Sequence, residues 1–324
     1  MVSSWGITDG SAGMQAQVRA LAGVLGVEPE MKKIIIKEPF AALPNGIHAL
    51  LKPFIIPRMI AGDSLAPPYP DLIISCGRRG AIAAMGLKTK APHTKFICIQ
   101  DPQTSSKHFD LVVAMEHDAI KGPNVIKTYF ALHSITPKLL EEAQQRFAAQ
   151  FASYPKPHIT VLLGGSTNKY TLEIEAMARI VMQLQRMLKH TEGSLLITPS
   201  RRTGAQNASM LRGVGSQRVY IYDGVAENPY VGLLALADAI IVTNDSVNMM
   251  SEAAATGKPI YILPLPGHTD TKPARFANML IAKGIARPLG DKIETWHYPV
   301  SDEMQRVAAE VKTVIPALCG DLEL

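Results

Sequence analysis

Residues 237–264, Ala237-Asp-Ala-Ile-Ile-Val-Thr-Asn-Asp-Ser-Val-Asn-Met-Met-Ser-Glu-Ala-Ala-Ala-Thr-Gly-Lys-Pro-Ile-Tyr-Ile-Leu-Pro264, decide how the chain is read. Ala239–Val242 and Ile260–Leu263 are short apolar runs, the pattern of strands covered on both faces. Between them Thr243, Asn244, Asp245, Ser246 and Asn248 collect hydroxyls, amides and a carboxylate where a strand ends and a helix begins. The free N–H groups and positive end of such a helix make the junction a natural anion site. In open α/β sheets ligands bind at the carboxyl ends of the strands. Ser251 and Glu252 follow on the helix, six residues beyond Ser246 for the glutamate, within reach of a ligand at the helix start. A simpler reading competes on equal terms: Asp245 or Ser246 caps the helix and Glu252 sits on a solvated face.

The rest of the chain supplies the context. Ser4–Thr8, Lys33–Ile36, Leu72–Ser75, Phe96–Ile99, Leu111–Ala114 and Val125–Tyr129 read as strands, separated by helical patterns over Met14–Leu25, Ile47–Ile60 and the Ala-rich segment after Gly80. Pro53 and Pro57 bend or break the second of these helices. After the helix Leu139–Phe151, Tyr154-Pro155-Lys156-Pro157 interrupts the pattern. It restarts with strands His158–Leu163, Leu195–Thr198, Val219–Tyr222, Ile240–Val242 and Ile260–Leu263, and with helices over Thr171–His190, Ala274–Lys283 and 302–318. Such alternation predicts parallel sheets with helices on both faces. At 324 residues the chain exceeds one comfortable core. The expected domains are 1–153 and 154–300, with a final segment, 301–324, crossing back to the first.

Composition narrows the class. Apolar content of 47% with 19% charged residues suits a globular protein with a large core. A net charge of +5 favours phosphate-bearing ligands or an anionic surface, but the basic residues are scattered and no nucleic-acid partner is expected. Cys76, Cys98 and Cys319 lack metal spacing, and Cys76 and Cys98 adjoin strand-like runs, so buried free thiols and a reducing, cytoplasmic setting are expected. No signal peptide and no membrane-spanning stretch is read. The Ile47–Ile60 segment carries His48, Lys52 and Arg58 among apolar residues. A core-facing helix with a solvated basic edge is its plainer reading; reversible contact with the inner face of an anionic membrane is the other.

Several strand-end loops hold chemistry. Asp9 and Gln15 flank the first Gly-rich turn, where an Asx turn closed by Asp9 is the simpler account. Gly164, Gly165, Ser166 and Thr167 resemble a phosphate cradle without the Gly-Lys-Ser/Thr ending of the P-loop or the three-glycine dinucleotide fingerprint. Ser200, Arg201 and Arg202 follow a strand; an Arg there pairs bidentately with a diphosphate, while helix capping by Ser200 competes. With Asp223–Pro229 and Thr243–Glu252 these loops converge on one edge of a single parallel sheet. In the first half, Gly77-Arg78-Arg79-Gly80, Gln100-Asp101-Pro102-Gln103 and Glu116-His117-Asp118 occupy the equivalent edge. His117 and Asp118 offer general-base chemistry. Adjacent loop residues seldom share a metal ion, so no metal site is expected. No Gly-x-Ser-x-Gly elbow supports a serine hydrolase.

The start Trp5-Gly6-Ile7-Thr8-Asp9-Gly10, Gln100-Asp101-Pro102, Glu116-His117-Asp118, Leu163-Gly164-Gly165, Ser200-Arg201-Arg202-Thr203 and Thr243-Asn244-Asp245-Ser246-Val247-Asn248-Met249 with Ser251-Glu252-Ala253 resemble the elongated-mitochondria (mitochondrial fission) family, in its bacterial form, over nearly the whole chain. Bacterial members are usually grouped with glycosyltransferases, and plant members are linked to recruiting a dynamin-related protein. More distantly, the second half is similar to the donor domain of GT-B glycosyltransferases, including the peptidoglycan N-acetylglucosaminyl transferase. The resemblance implies a GT-B fold, two Rossmann-like doubly wound domains facing a cleft. It implies Gly164, Gly165 and Ser166 near a diphosphate, Glu252 on the ribose, and Asp245, Ser246 and Asn248 on diphosphate or sugar hydroxyls. Thr167, Ser200, Arg201, Arg202, Thr243 and Ser251 complete the expected donor site. The implied donor is a nucleotide-diphosphate sugar, with no further cofactor, and the acceptor is lipid-linked or a lipopolysaccharide core. Asp9 is the first choice of base, ahead of His117 or Asp118. The family's Asp-Gln sugar contact has only a partial counterpart at His268-Thr269-Asp270. A non-catalytic interaction protein and a nucleotide-sugar epimerase are the alternatives.

Overall fold

The computed structural model describes residues 2–51, 55–301 and 303–315. They form two compact units. The first comprises residues up to Ser134 together with the C-terminal helix Glu303–Val314. Its strands are β1 (Ser4–Thr8), β2 (Glu30–Ile36), β3 (Ile60–Gly62), β4 (Leu72–Cys76), β5 (Lys95–Ile99), β6 (Leu111–Met115) and β7 (Val125–Thr128), in the order β3-β2-β1-β4-β5-β6-β7. All pairs are parallel except β2 with β3. β1 and β4 are buried along their whole length, as a strand sandwiched between helical layers requires. Helices Ala12–Val24 and Glu303–Val314 share one apolar layer, where Leu21, Met304, Val307 and Val311 meet Leu72 and Ile97. The helix Gly77–Lys88 lies in the other, with Ile82 and Met85 against Ile7, Ile34 and Ile73.

The second unit runs from Ile135 to Ser301. Its strands β8 (His158–Leu163), β9 (Ser194–Pro199), β10 (Val219–Ile221), β11 (Ala239–Thr243), β12 (Ile260–Leu263) and β13 (Ala286–Pro288) are ordered β10-β9-β8-β11-β12-β13, every pair parallel. The order runs outward from β8 in one direction and from β11 in the other, so the β8/β11 seam is the topological switch point. Met177, Ile180, Leu184 and Met187 of the helix Ile174–Lys189 cover one face of the sheet.

Three expectations need correction. The unit boundary falls at Ser134/Ile135, not after residue 153. The helix Pro137–Phe151 belongs to the second unit because Phe147 and Phe151 bury against Leu196 and Leu233, and Gly232 leaves the space that Phe147 fills. The expected helix over Ile47–Ile60 is instead a short helix, Asn45–Leu50, then a π-helical turn, Ile55–Met59, and then β3. His48 is fully buried and its Nδ1–H donates to the Pro44 carbonyl at 3.2 Å, so it is no part of a basic surface. Burial lowers its pKa below the ordinary histidine value. Arg58 is exposed, and Lys52, Pro53 and Cys319 lie outside the described residues. Strands β3 (Ile-Ala-Gly) and β13 (Ala-Arg-Pro) are additional to the expected ones; each has three residues and includes Gly or Pro, which carry no strand signal.

Candidate functional site

In the second unit, the loops after β8, β9 and β11 lock together at the switch point. The Gly164 N–H donates to the Thr243 hydroxyl at 2.8 Å, and that hydroxyl donates to Asp245 Oδ1 at 2.6 Å. The Gly165 N–H reaches Asp245 Oδ2 at 3.3 Å, and the Arg202 guanidinium donates to the same oxygen at 2.5 Å. From β9, the Thr203 hydroxyl closes on the Leu163 and Gly164 carbonyls at 3.1 and 2.5 Å, and the Ser166 N–H on the Arg202 carbonyl at 3.2 Å. The Asp245 side chain has no exposed surface. It therefore holds the loops in place and presents no oxygen to a ligand.

The glycines follow from this arrangement. A Cβ on Gly164 would overlap the Asp245 carboxylate, and one on Gly165 the Arg202 backbone. The pair is dictated by close packing between loops, where the sequence suggested close approach of a phosphate. The helix expected from Thr171 starts at Ile174, with Glu173 at its N-cap and Glu175 in its first turn. Carboxylates near a positive helix end complement its dipole and repel an incoming anion.

The anion-binding groups that remain lie nearer β11 and β9. Ser246 caps the helix Val247–Ala254, accepting the Met249 N–H at 3.3 Å. The capped-helix reading is therefore correct for Ser246, and it leaves the first N–H groups of the helix directed at the sheet edge. Ser200 accepts the Arg202 N–H at 3.2 Å. Ser166 and Thr167 also accept backbone N–H groups, from Leu172 at 2.9 Å and from Lys169 and Tyr170 at 3.1 Å each. A hydroxyl fixed as an acceptor still has its own O–H to donate to an anion. Arg201 is exposed and makes no ion pair among the described residues, whereas Arg202 is half-exposed and paired. Asn248 is half-buried and Ser251 buried. Asn244 Oδ1 accepts the Leu265 N–H at 2.8 Å, beside a cavity of about 290 Å³ lined by buried Ile262, Leu265 and Ala277 and exposed His268 and Thr269.

Glu252 is not on a solvated face. It is half-buried, accepts a short hydrogen bond from the Tyr230 hydroxyl, and burial raises its pKa above the usual carboxylate range. Tyr230 was missed in the sequence, where the polar cluster Asp223–Pro229 ends one residue short of it. Nothing local links positions 230 and 252.

The first unit has its own switch point, between β1 and β4. Asp9 accepts the Ser11 N–H at 3.0 Å, so the Asx turn is real, and its other oxygen lies 3.5 Å from Arg79. Arg78 turns the other way: its Nε donates to Asn45 Oδ1 at 2.8 Å, and Asn45 donates to the Pro102 carbonyl at 2.5 Å. This buried network, whose hub Asn45 gave no signal in the sequence, steadies the loop holding Gln100 and Gln103. Those two, at φ 73° and 54°, are the non-glycine residues of positive φ among the described residues. Such strain persists where the surroundings enforce it.

His117 and Asp118 do not join Asp9. They follow β6, three strands from β1, roughly 14 Å away across the sheet. Asp118 is buried and accepts the Met115 N–H at 3.2 Å, while Lys127 Nζ donates to the Met115 and Asp118 carbonyls at 3.1 and 2.5 Å. It closes a turn and is no base for an incoming substrate; His117 is exposed. Among the described residues no three His, Cys, Asp or Glu side chains group as a metal site. None of the helices described is long and apolar enough to cross a membrane.

Comparison with known proteins agrees with the fold. The chain is similar to the mitochondrial fission protein ELM1 of Arabidopsis thaliana, 30% identical over 277 residues, covering 76% of this chain and 64% of the plant protein. The chain thus spans less than two thirds of that relative. An uncharacterized protein, RP120, of Rickettsia prowazekii (strain Madrid E) is 28% identical over 346 residues, covering 95% and 97%. Among solved structures, UDP-GlcNAc 2-epimerase from Neisseria meningitidis, bound to UDP-GlcNAc, superposes with a TM-score of 0.51 at 14% identity, covering 97% of this chain and 91% of that one. Acinetobacter baumannii MurG gives 0.52 at 13%, covering 97% and 91%. At these identities the likeness is one of fold, that of GT-B glycosyltransferases and related epimerases. The model of the family described as mitochondrial fission ELM1 matches residues 12–315, and the chain belongs to that family.

Proposed function

We propose that the second unit binds a nucleotide-diphosphate sugar at the β8/β11 edge and that the protein transfers the sugar to a lipid-linked or lipopolysaccharide-core acceptor. The observation that carries this reading is the convergence at one switch point of a capped helix start, the exposed guanidinium of Arg201 and the hydroxyls of Ser166, Thr167 and Ser246, which accept backbone N–H groups and keep their own O–H to donate. In this reading the diphosphate lies against the Val247–Ala254 helix start with Arg201 and Arg202, and Glu252 accepts from the ribose. A general base takes the proton of the acceptor hydroxyl. The acceptor oxygen bonds to the anomeric carbon, the bond from that carbon to the phosphate oxygen breaks, and the electron pair leaves on the diphosphate. Donors already oriented towards the developing charge stabilise it without reorganising.

Calorimetry with UDP, ADP, GDP and CDP tests the donor site. Wild-type protein binds at least one of them and Glu252→Ala weakens that binding by about tenfold or more; unchanged affinity in the variant would remove Glu252 from the site. Two other readings have support of their own. The fold is shared with UDP-GlcNAc 2-epimerases, and isomerised product from donor alone, without acceptor, would favour an epimerase. The plant relative is named for mitochondrial fission, and Arg202 is already neutralised by Asp245, as suits a scaffold. A panel of nucleotides and nucleotide sugars none of which raises the melting temperature would favour that reading.

A further inference from the structure

We propose that Tyr230 is a positioning residue that makes the site select ribonucleotides, by fixing the Glu252 carboxylate as an acceptor for the ribose diol. The proposal rests on the donor-site reading above and adds to it the residue that enforces the ribose contact. Tyr230 is delivered by a stiff element. Asp223 Oδ1 accepts the Val225 and Ala226 N–H groups at 2.9 and 3.4 Å, the Tyr222 hydroxyl donates to the Ala226 carbonyl at 2.9 Å, and Asn228 Oδ1 accepts the Tyr230 N–H at 3.1 Å. The helix Tyr230–Leu236 that follows is anchored by Leu233 and Leu234, both fully buried.

Glu252 rides on the helix capped by Ser246, six residues along it, a rise of roughly 9 Å. That matches the reach of a nucleoside 5′-diphosphate from its terminal phosphate to its ribose. The Tyr230 hydroxyl occupies Oε2 of Glu252, and Oε1 has no hydrogen bond among the described residues. A carboxylate tied at one oxygen cannot rotate freely, so the other keeps one direction for its lone pairs. Burial favours the protonated carboxyl, which loses acceptor capacity, and the tyrosine bond acts against it by favouring the charged form. Without the phenol, Glu252 would be both less ordered and a poorer acceptor. A pair that only tied two helices together would contribute to stability and leave nucleotide preference untouched.

The test is a comparison of UDP, ADP, GDP and CDP with their 2′,3′-dideoxy analogues by calorimetry on wild type, Tyr230→Phe, Glu252→Gln and the double variant. Phenylalanine keeps the ring and its packing, and melting curves confirm that each variant is folded. Wild type is expected to prefer the ribonucleotide by about tenfold or more, and each single variant to reduce that preference to about twofold or less, the size of effect expected for a hydrogen bond to a charged group. The double variant is expected to lose no more than either single one, because both remove the same interaction. Tyr230→Phe retaining the wild-type preference while Glu252→Gln loses it would overturn the role of Tyr230 and leave the donor site standing. Wild type binding a diphosphate with no ribose preference would also overturn the proposal. Wild type binding none of the diphosphates would overturn the donor-site reading and this proposal with it.

Discussion

Asp245→Ala is the perturbation that bears most directly on how the second unit's edge is built. The carboxylate accepts from the Thr243 hydroxyl, the Gly165 N–H and Arg202, with no exposed surface of its own. Its removal strands two buried donors, Thr243 Oγ1 and Gly165 N, at about 1–3 kcal/mol each. Arg202, with 43% of its side chain exposed, is rehydrated and adds little. The expected loss is therefore about 2–6 kcal/mol, a large share of the ~5–15 kcal/mol that holds a domain together. Asp245→Asn keeps one acceptor oxygen and costs about half as much.

The two tryptophans allow the measurement in the intact chain, since Trp5 is buried in the first unit and Trp296 packs on Tyr261 in the second, ring centroids 5.1 Å apart. In a Trp5→Phe background, urea unfolding followed by Trp296 fluorescence reports the second unit alone. At a typical m of about 2 kcal/mol/M, the Asp245→Ala midpoint falls by about 1–3 M. A midpoint within about 0.3 M of the parent would refute the anchoring role. Nucleotide binding lost at unchanged stability would show instead that Asp245 touches the ligand.

Gly164→Ala places a methyl against the Asp245 carboxylate and is expected to cost about 1–3 kcal/mol in the same assay. Glu303 accepts the Tyr129 and Phe130 N–H groups at 2.7 Å each, so Glu303→Ala should lift hydrogen-exchange protection from the helix Glu303–Val314 before the rest of the first unit. Lys258 donates to the Leu234 and Ala235 carbonyls, at 2.9 and 2.5 Å, and burial lowers its pKa to about 8. Between about pH 8 and its unfolded value of about 10.4, the unfolded chain holds this proton and the folded chain does not, so Lys258 makes stability rise with pH across that window. Comparing urea midpoints at pH 7.5 and 9.5, Lys258→Met should remove that rise; an identical pH dependence in the variant would contradict the assignment.

Legibility in the sequence followed the range of the interaction concerned. β11 and β12 are apolar runs buried on both faces, so composition alone marked them. The polar loops after them were legible for the same reason, as interruptions of that pattern. Asp118 and Asp245 were legible as acids at strand ends, but the direction of their carboxylates was not. Both face inward to backbone N–H groups, a choice made by the loop's own hydrogen bonding. His48 read as a surface cation and is fully buried, with its ring turned back on the Pro44 carbonyl, a contact that its apolar neighbours in the sequence do not announce.

By itself the sequence determined the two α/β units, the strand edges where polar loops collect and the family to which the chain belongs, all properties carried by local pattern or by motif. Tertiary structure alone decided which groups at those edges face outward. Asp245 is spent on Gly165 and Arg202, 80 and 43 positions away in the chain, and Glu252 is bound to Tyr230, 22 positions away. Parallel strand order brings such residues together through crossovers, and no local periodicity records a contact made across one. Glycines 164 and 165, whose place in the sequence suggested a ligand, owe their identity to side chains and backbone from other strands, because only the folded sheet brings those atoms within reach.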